Sequence, residues 1–180
     1  LEIYKSDLKI AIKELLKRIK KKDIVLSILT EKIDKTFFKT AGDKLKMVAN
    51  YAVGYDNIDI TEANKHNVTV TNTPHDKISE SVAEHTIALM FAVARRICES
   101  DKFTRAGKYK NWGPQLLLGT DFYGKTIGIV GTGRIGAAVV SRLHDGFKMK
   151  VIYNDIKRNP ALEKTTGAKY KSLNELLKQS

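Results

Sequence analysis

One stretch constrains this chain more than any other: Thr126–Gly136, TIGIVGTGRIG. Its apolar run Ile127–Val130 is short and bounded by turn residues, as a buried parallel strand is. Gly131, Gly133 and Gly136 follow in G-x-G-x-x-G spacing, and Ile135, Val139, Val140 and Leu143 recur behind them at helical spacing. Strand, glycine turn and helix together form the arrangement that holds a pyrophosphate on a helix N-terminus. A second apolar run, Met149–Tyr153, is followed by Asp155, 19 residues after Gly136. The dinucleotide fingerprint places an acid for the ribose hydroxyls about 20 residues on. The spacing therefore predicts a dinucleotide site, with the amides of Arg134 and Ile135 toward the pyrophosphate and Asp155 on the ribose. The plainer alternatives are a ligand-free glycine turn and, for Arg134, a surface residue at a helix start.

The rest of the chain alternates helix and strand. Leu8, Ala11, Ile12, Leu15, Leu16 and Ile19 predict an amphipathic helix over 6–21. Strands are expected over 23–29, 46–51 and 68–70. A short helix is expected over 34–40, stopped by Gly42, and another to about Lys65, capped by Asp56 or Asn57. Such alternation implies a doubly wound parallel sheet. Ser79 and Ser81 would open a long helix reaching toward Arg105, with Ser81–Glu84 as a capping box. Its apolar middle, IALMFAVA, suggests burial on most sides, between two domains. Residues 107–124 carry Trp112, Pro114 and Leu116–Leu118 without a clear period, as segments that pack against another subunit do. Beyond Asp155 come a loop near Pro160, a short strand at Lys169–Tyr170 and a helix capped by Ser172 and Glu175.

Composition excludes several classes. No apolar run reaches the 18 residues of a membrane span, and no signal-peptide pattern is present. The formal charge is +12, but the lysines are spread along the chain. The densest run, Lys17–Lys22, closes a helix where cations suit the dipole and has no interleaved aromatics. It reads as a solvated face rather than a nucleic-acid site. The single cysteine, Cys98, cannot form an internal disulfide and reads as a small core residue. These features suit a cytoplasmic protein.

No histidine or cysteine cluster has metal-ligand spacing, and there is no G-x-S-x-G elbow. Of His66, His75, His85 and His144, His75 comes nearest to a strand's C-terminal end, and none has a paired acid placed by the sequence. Asn50–Gly54 (NYAVG) ends a strand in a glycine turn. Its amides could bind a carboxylate; a plain β–α turn is the alternative.

Taken in order, Ala52–Asp59 (AVGYDNID), Val70–Pro74 (VTNTP), Val82–Glu84, Ala94–Arg96 and Gly124–Gly136 (GKTIGIVGTGRIG) resemble the D-isomer-specific 2-hydroxyacid dehydrogenases. Trp112–Pro114 and Leu116–Gly119 resemble the glyoxylate/hydroxypyruvate reductase branch. The resemblance implies an α/β fold of two doubly wound parallel-sheet domains, both incomplete here. These are a flavodoxin-like substrate domain over 1–77 and the first half of a Rossmann cofactor domain over 78–180. It implies NAD-dependent reduction of a small 2-oxo acid, glyoxylate or hydroxypyruvate, to the D-2-hydroxy acid. By position, Val53 and Gly54 would bind the substrate carboxylate, and Val82 would lie near the nicotinamide. Gly131, Gly133, Arg134, Ile135 and Gly136 would hold the pyrophosphate. Asp155 would select NAD over NADP by repelling a 2′-phosphate, with Lys157 and Arg158 beside it. Residues 107–124 would embrace a second subunit as a homodimer. No metal is implied.

The family's catalytic arginine, glutamate and histidine have no counterpart in this chain, so no catalytic residue is assigned. The chain, which opens on Leu1 rather than Met, is expected to be a piece of a longer dehydrogenase and inactive alone. Two alternatives stay open: a non-catalytic, NAD-binding regulatory or corepressor-like module, and an inactive fragment.

Overall fold

The structure, a computed structural model, describes residues 1–6 and 8–180. It falls into two units, Leu1–His75 and Asp76–Ser180.

The first unit is built on a three-stranded parallel sheet, β1 (Ile24–Ser27), β2 (Met47–Asn50) and β3 (Thr69–Thr71), in that spatial order. Helix α1 (Ile12–Arg18) precedes the sheet, and α2 (Lys35–Ala41) and α3 (Ile60–Lys65) connect its strands. The core is Ile19, Ile33, Phe37, Phe38, Leu45, Val48, Ile58 and Val68. Phe37 and Phe38 meet edge to face, with ring centroids 5.5 Å apart, a favoured aromatic geometry.

Two sequence expectations need correction here. Helix α1 is shorter than 6–21, because the preceding segment folds back along it. Glu2 pairs with Arg18 and Lys22, and the Arg18 guanidinium lies over the Tyr4 ring. Asp7, within the expected helix, lies outside the described residues. Asp59, not Asp56 or Asn57, caps α3 by accepting from the Glu62 amide. Asn57 is engaged elsewhere, as described below.

The second unit holds the sheet β4 (Thr126–Val130), β5 (Lys150–Asn154) and β6 (Lys169–Tyr170), again parallel and in sequence order. Helix α6 (Arg134–Phe147) links β4 to β5, α7 (Pro160–Thr166) links β5 to β6, and α8 (Leu173–Gln179) follows. The expected Ser172–Glu175 capping box is present on α8. The loop expected near Pro160 is instead α7. Pro160 sits at a first-turn position, where its missing N–H costs nothing, and Asn159 caps the helix through the Leu162 amide.

The long helix expected from Ser79 to Arg105 is two helices, α4 (Asp76–Ala94) and α5 (Ile97–Arg105). Arg96 between them is left-handed, with φ 53°. The helix opens earlier than Ser79, just after Pro74. The Ser81 hydroxyl donates back to the Lys77 carbonyl, so Ser81 is no cap. Nor is α4 buried on most sides. Ser79 and Ala83 are buried, while Val82, Leu89 and Val93 are exposed, Val93 by 79%. The Ala83, Ile87 and Met90 stripe joins the core with α6 and the sheet. The break at Arg96 also turns Cys98 outward, so it is an exposed thiol and not a core residue.

Residues 107–124 form no regular element, as expected. Their end is fixed: the Thr120 amide donates to the Ala94 carbonyl, Arg95 pairs with Asp121, and Phe122 packs in a three-ring cluster with Phe91 and Phe147. Their tip exposes Tyr109, Trp112 and Leu118.

Asp34 caps α2 by accepting from the Thr36 and Phe37 amides. Replacing Asp34→Ala removes both bonds from the element carrying Phe37 and Phe38. It should destabilise the first unit by about 1 kcal/mol, read as a lowered urea midpoint with an unchanged slope.

Candidate functional site

The glycine loop is built as its sequence demands. Gly131 leaves β4 with φ 88°, a backbone conformation open to glycine, and its amide donates to the Asn154 carbonyl of the neighbouring strand. Gly133 is the N-cap of α6 and supplies no side-chain bond. The first-turn amides of α6 therefore have no internal acceptor and face outward at the positive end of the helix. Gly136 lets the helix approach the turn, since a Cβ there would stand 2.1 Å from the Gly131 carbonyl oxygen. A Cβ at Gly131 or Gly133 would meet nothing within 4 Å. The loop thus presents a clear backbone surface, and a pyrophosphate fits it.

Gly131, Gly133, Arg134 and Ile135 are exposed, whereas Thr132 is buried. Thr132 is the residue that sequence reasoning passed over. Its amide and hydroxyl both donate to one Asp155 oxygen, at 2.6 and 2.8 Å. The other Asp155 oxygen accepts from the Ile156 amide at 2.7 Å. Asp155 therefore stands at the end of β5 as expected, and it also clasps the loop. A side chain able to donate at the first x of G-x-G was the available signal. The Thr132 amide first, then its hydroxyl and the Ile156 amide, hold the Asp155 carboxyl below the usual carboxylate range.

Arg134 pairs with Asp76 at 3.5 Å, from the first turn of α4. Arg142 pairs with Glu80 farther along the same two helices. Val82 lies on the exposed face of α4.

The turn after β2 is held differently. The Asn50 side chain is buried; its Oδ1 accepts from the Ser27 hydroxyl at 2.9 Å, and its Nδ2 donates to the Gly54 carbonyl at 3.0 Å. Asn72 Nδ2 donates to the Val53 carbonyl at 2.7 Å, and the Thr73 amide to the Ala52 carbonyl at 2.8 Å. Three successive carbonyls, Ala52 to Gly54, are thus engaged from within the fold. In a trans peptide the N–H points opposite to the C=O, and no peptide bond here is cis. The amides of Val53, Gly54 and Tyr55 are therefore turned away from those partners. Asn57 braces the same turn, accepting from Asn50 and donating to the Ile28 and Glu31 carbonyls after β1. The sequence singled out Val53 and Gly54 but not the four side chains (Asn50, Asn57, Asn72 and Ser27) that fix them.

Two of the four histidines are engaged within the fold. His66 stacks on Phe38, and His144 Nδ1 lies 3.0 Å from the Met149 carbonyl. Among the described residues, no group of His, Cys, Asp or Glu could hold a metal, and no helix is long and apolar enough to cross a membrane.

Residues 87–180 match the model of the D-isomer specific 2-hydroxyacid dehydrogenase NAD binding domain. The chain belongs to that family. It is 46% identical to the glyoxylate reductase of Thermococcus onnurineus and 44% to that of Pyrococcus furiosus, in each case over 99% of this chain and 54% of the relative. The chain thus spans about half the length of the curated relatives it matches. Among solved structures, a Thermus thermophilus protein aligns over 96% of this chain and 53% of its own, with a TM-score of 0.84 and 38% identity. A D-lactate dehydrogenase from Aquifex aeolicus, complexed with NAD and lactic acid, aligns over 92% of this chain and 48% of its own, with a TM-score of 0.80 and 29% identity. The fold of the dehydrogenase NAD-binding domain is therefore the one described above for the second unit.

The lowered Asp155 carboxyl has a pH signature. A depressed carboxyl stabilises the fold while it is ionised. That contribution is present above the ordinary value of about 3.9 and is lost as pH falls through the lowered one. Asp155→Asn should therefore be less stable than the parent at neutral pH. Urea midpoints of the two should converge as the pH drops below about 4.

Proposed function

We propose that this chain is the substrate-carboxylate and pyrophosphate-binding part of an NAD-dependent reductase of a small 2-oxo acid, glyoxylate or hydroxypyruvate, yielding the D-2-hydroxy acid. The observation that carries the reading is the fixed amide array at Val53–Tyr55. With the carbonyls of Ala52, Val53 and Gly54 tied down, the Val53 and Gly54 amides are preorganised donors. Such donors suit the planar carboxylate of a 2-oxo acid and cost no reorganisation when it binds. The relatives named glyoxylate reductase support the choice of substrate.

On this reading, residues 1–77 contribute to the substrate domain and 78–180 to the cofactor domain. When bound in its reduced form, NADH, the cofactor would supply the hydride and leave as NAD. Gly131, Gly133, Arg134, Ile135 and Gly136 hold its pyrophosphate, Asp155 its ribose hydroxyls, and Val82 lies near the nicotinamide. The Asp155 carboxylate already accepts from the Thr132 amide and hydroxyl and from the Ile156 amide. Its negative charge disfavours a 2′-phosphate. Reduction also requires a proton on the new alkoxide oxygen. We assign it to none of the four histidines here, and the proton donor belongs to the family's arginine, glutamate and histidine set. The exposed tip of 107–124, with Trp112 and Leu118, and the exposed Leu89 and Val93 of α4 are the surfaces a homodimer would cover.

The intact protein that carries this chain should oxidise NADH with glyoxylate or hydroxypyruvate, while the 180-residue chain alone should not. Turnover by the chain alone would overturn the assignment of the proton donor, and an inactive intact protein would overturn the substrate class. A second outcome concerns the cofactor. Asp155→Ala in the intact protein should raise the KM for NADH by about tenfold, the loss of one charge-assisted bond, and narrow the preference over NADPH. An unchanged preference would show that the ribose is read by another residue.

A further inference from the structure

Three residues past Asp155 stands Arg158, a cation placed where a nicotinamide cofactor carrying a 2′-phosphate would seek one. In this fold the cation is already spent. The Arg158 guanidinium forks onto the Glu163 carboxylate, Nε to Oε1 at 3.0 Å and Nη2 to Oε2 at 2.8 Å. Glu163 lies in α7 and is the better buried partner, its side chain 23% exposed against 67% for Arg158. It is also fixed from below. The buried Tyr153 hydroxyl donates to Glu163 Oε1 at 2.5 Å and accepts from the Asn159 amide at 2.8 Å. Asn159 Nδ2 in turn donates to the Thr132 carbonyl in the glycine loop at 3.2 Å. The glutamate is thus fixed within the β5–α7 connection, and the arginine is the more exposed member that it captures. The pair shares the proton preferences expected of it: each holds the other in its charged form.

We propose that Glu163 is a specificity-determining residue for the cofactor: by capturing Arg158 it withholds from a 2′-phosphate the cation that would bind it. This rests on the reading of the glycine loop as a dinucleotide site. It assigns cofactor choice to two groups in place of one. Asp155 repels the extra phosphate, and Glu163 removes its partner. Lys157, between them in sequence, stays in every variant below, so comparisons isolate Arg158.

Glu163→Gln is the informative change. Glutamine keeps the size and the Oε1 acceptor that the Tyr153 hydroxyl needs, but loses the charge that holds the guanidinium. Calorimetric titration of the intact protein with NAD and with NADP gives the readout, independent of turnover. In the Glu163→Gln protein NADP should bind about fivefold tighter and NAD equally well, the size expected of one exposed ion pair redirected to a phosphate. Arg158→Ala alone should change neither affinity, because the captured arginine contributes to neither. The double variant, Glu163→Gln with Arg158→Ala, should lose the gain in NADP affinity. The proposal is overturned if Glu163→Gln leaves the NADP-to-NAD ratio within twofold of the parent, if both affinities move together, or if Arg158→Ala by itself weakens NADP. If the parent binds neither nucleotide, the dinucleotide reading itself fails, and the proposal with it.

Discussion

The bond on which the second unit turns is the clasp between Asp155 and Thr132. One carboxylate oxygen takes both the amide and the hydroxyl of a residue inside the glycine turn. Without it, the turn would be joined to β5 at its start only by the Gly131 amide, which donates to the Asn154 carbonyl. With it, the first x of G-x-G points inward and the glycines on either side point outward. Exposure of Gly131 and Gly133 is thus a consequence of the burial of Thr132. A charged acceptor is suited to the task, because charge-assisted bonds are shorter and stronger than neutral ones.

The first unit solves the same problem with neutral groups. Its half-buried turn at Val53 and Gly54 is fixed through its carbonyls, by Asn50, Asn72 and the Thr73 amide. Asn50 is itself oriented by Ser27 and Asn57. A side-chain amide can both donate and accept, so a chain of asparagines passes orientation from β1 through β2 to the turn. In both units, then, the backbone that faces outward is ordered by polar side chains that face inward. Such networks are costly if any member is missing and rigid when all are satisfied.

Much of this was legible in the sequence. The strands were readable to within about two residues at each end, as short runs of apolar, β-branched or aromatic residues between turn residues. The loop was readable because Gly131 needs a positive φ and Gly136 a close approach. The cap of α8 was readable because Ser172 and Glu175 are reciprocal within four residues. Failures came where distant contacts override local pattern. The apolar run from Ile87 to Ala94 gives no sign that Arg96 will turn left-handed, and the contacts at the break are distant in sequence: the Arg96 guanidinium donates to the Leu118 carbonyl and the Thr120 amide to the Ala94 carbonyl. The α7 helix was hidden because Pro160 punctuates a loop and opens a helix with equal ease. Thr132, Asn50, Asn72 and Glu163 were invisible as site residues, since hydrogen bonds between residues far apart in sequence leave no periodic trace.

Gly128, inside β4, has a different consequence. A Cβ there would stand 2.7 Å from Ser180 Cβ and 2.8 Å from Leu176 Cδ2. Helix α8 therefore sits against the sheet through a gap left by a missing side chain. Gly133, by contrast, has φ −67° and open space around it, although the fingerprint names it. The glycines that the motif counts and the glycines that the packing requires are overlapping but different sets. Tolerance to substitution along this stretch would map the contacts of the fold, lowest at Gly136, where a Cβ would meet backbone, and lower at Gly128 than at Gly133, and would give a poor likeness of the motif.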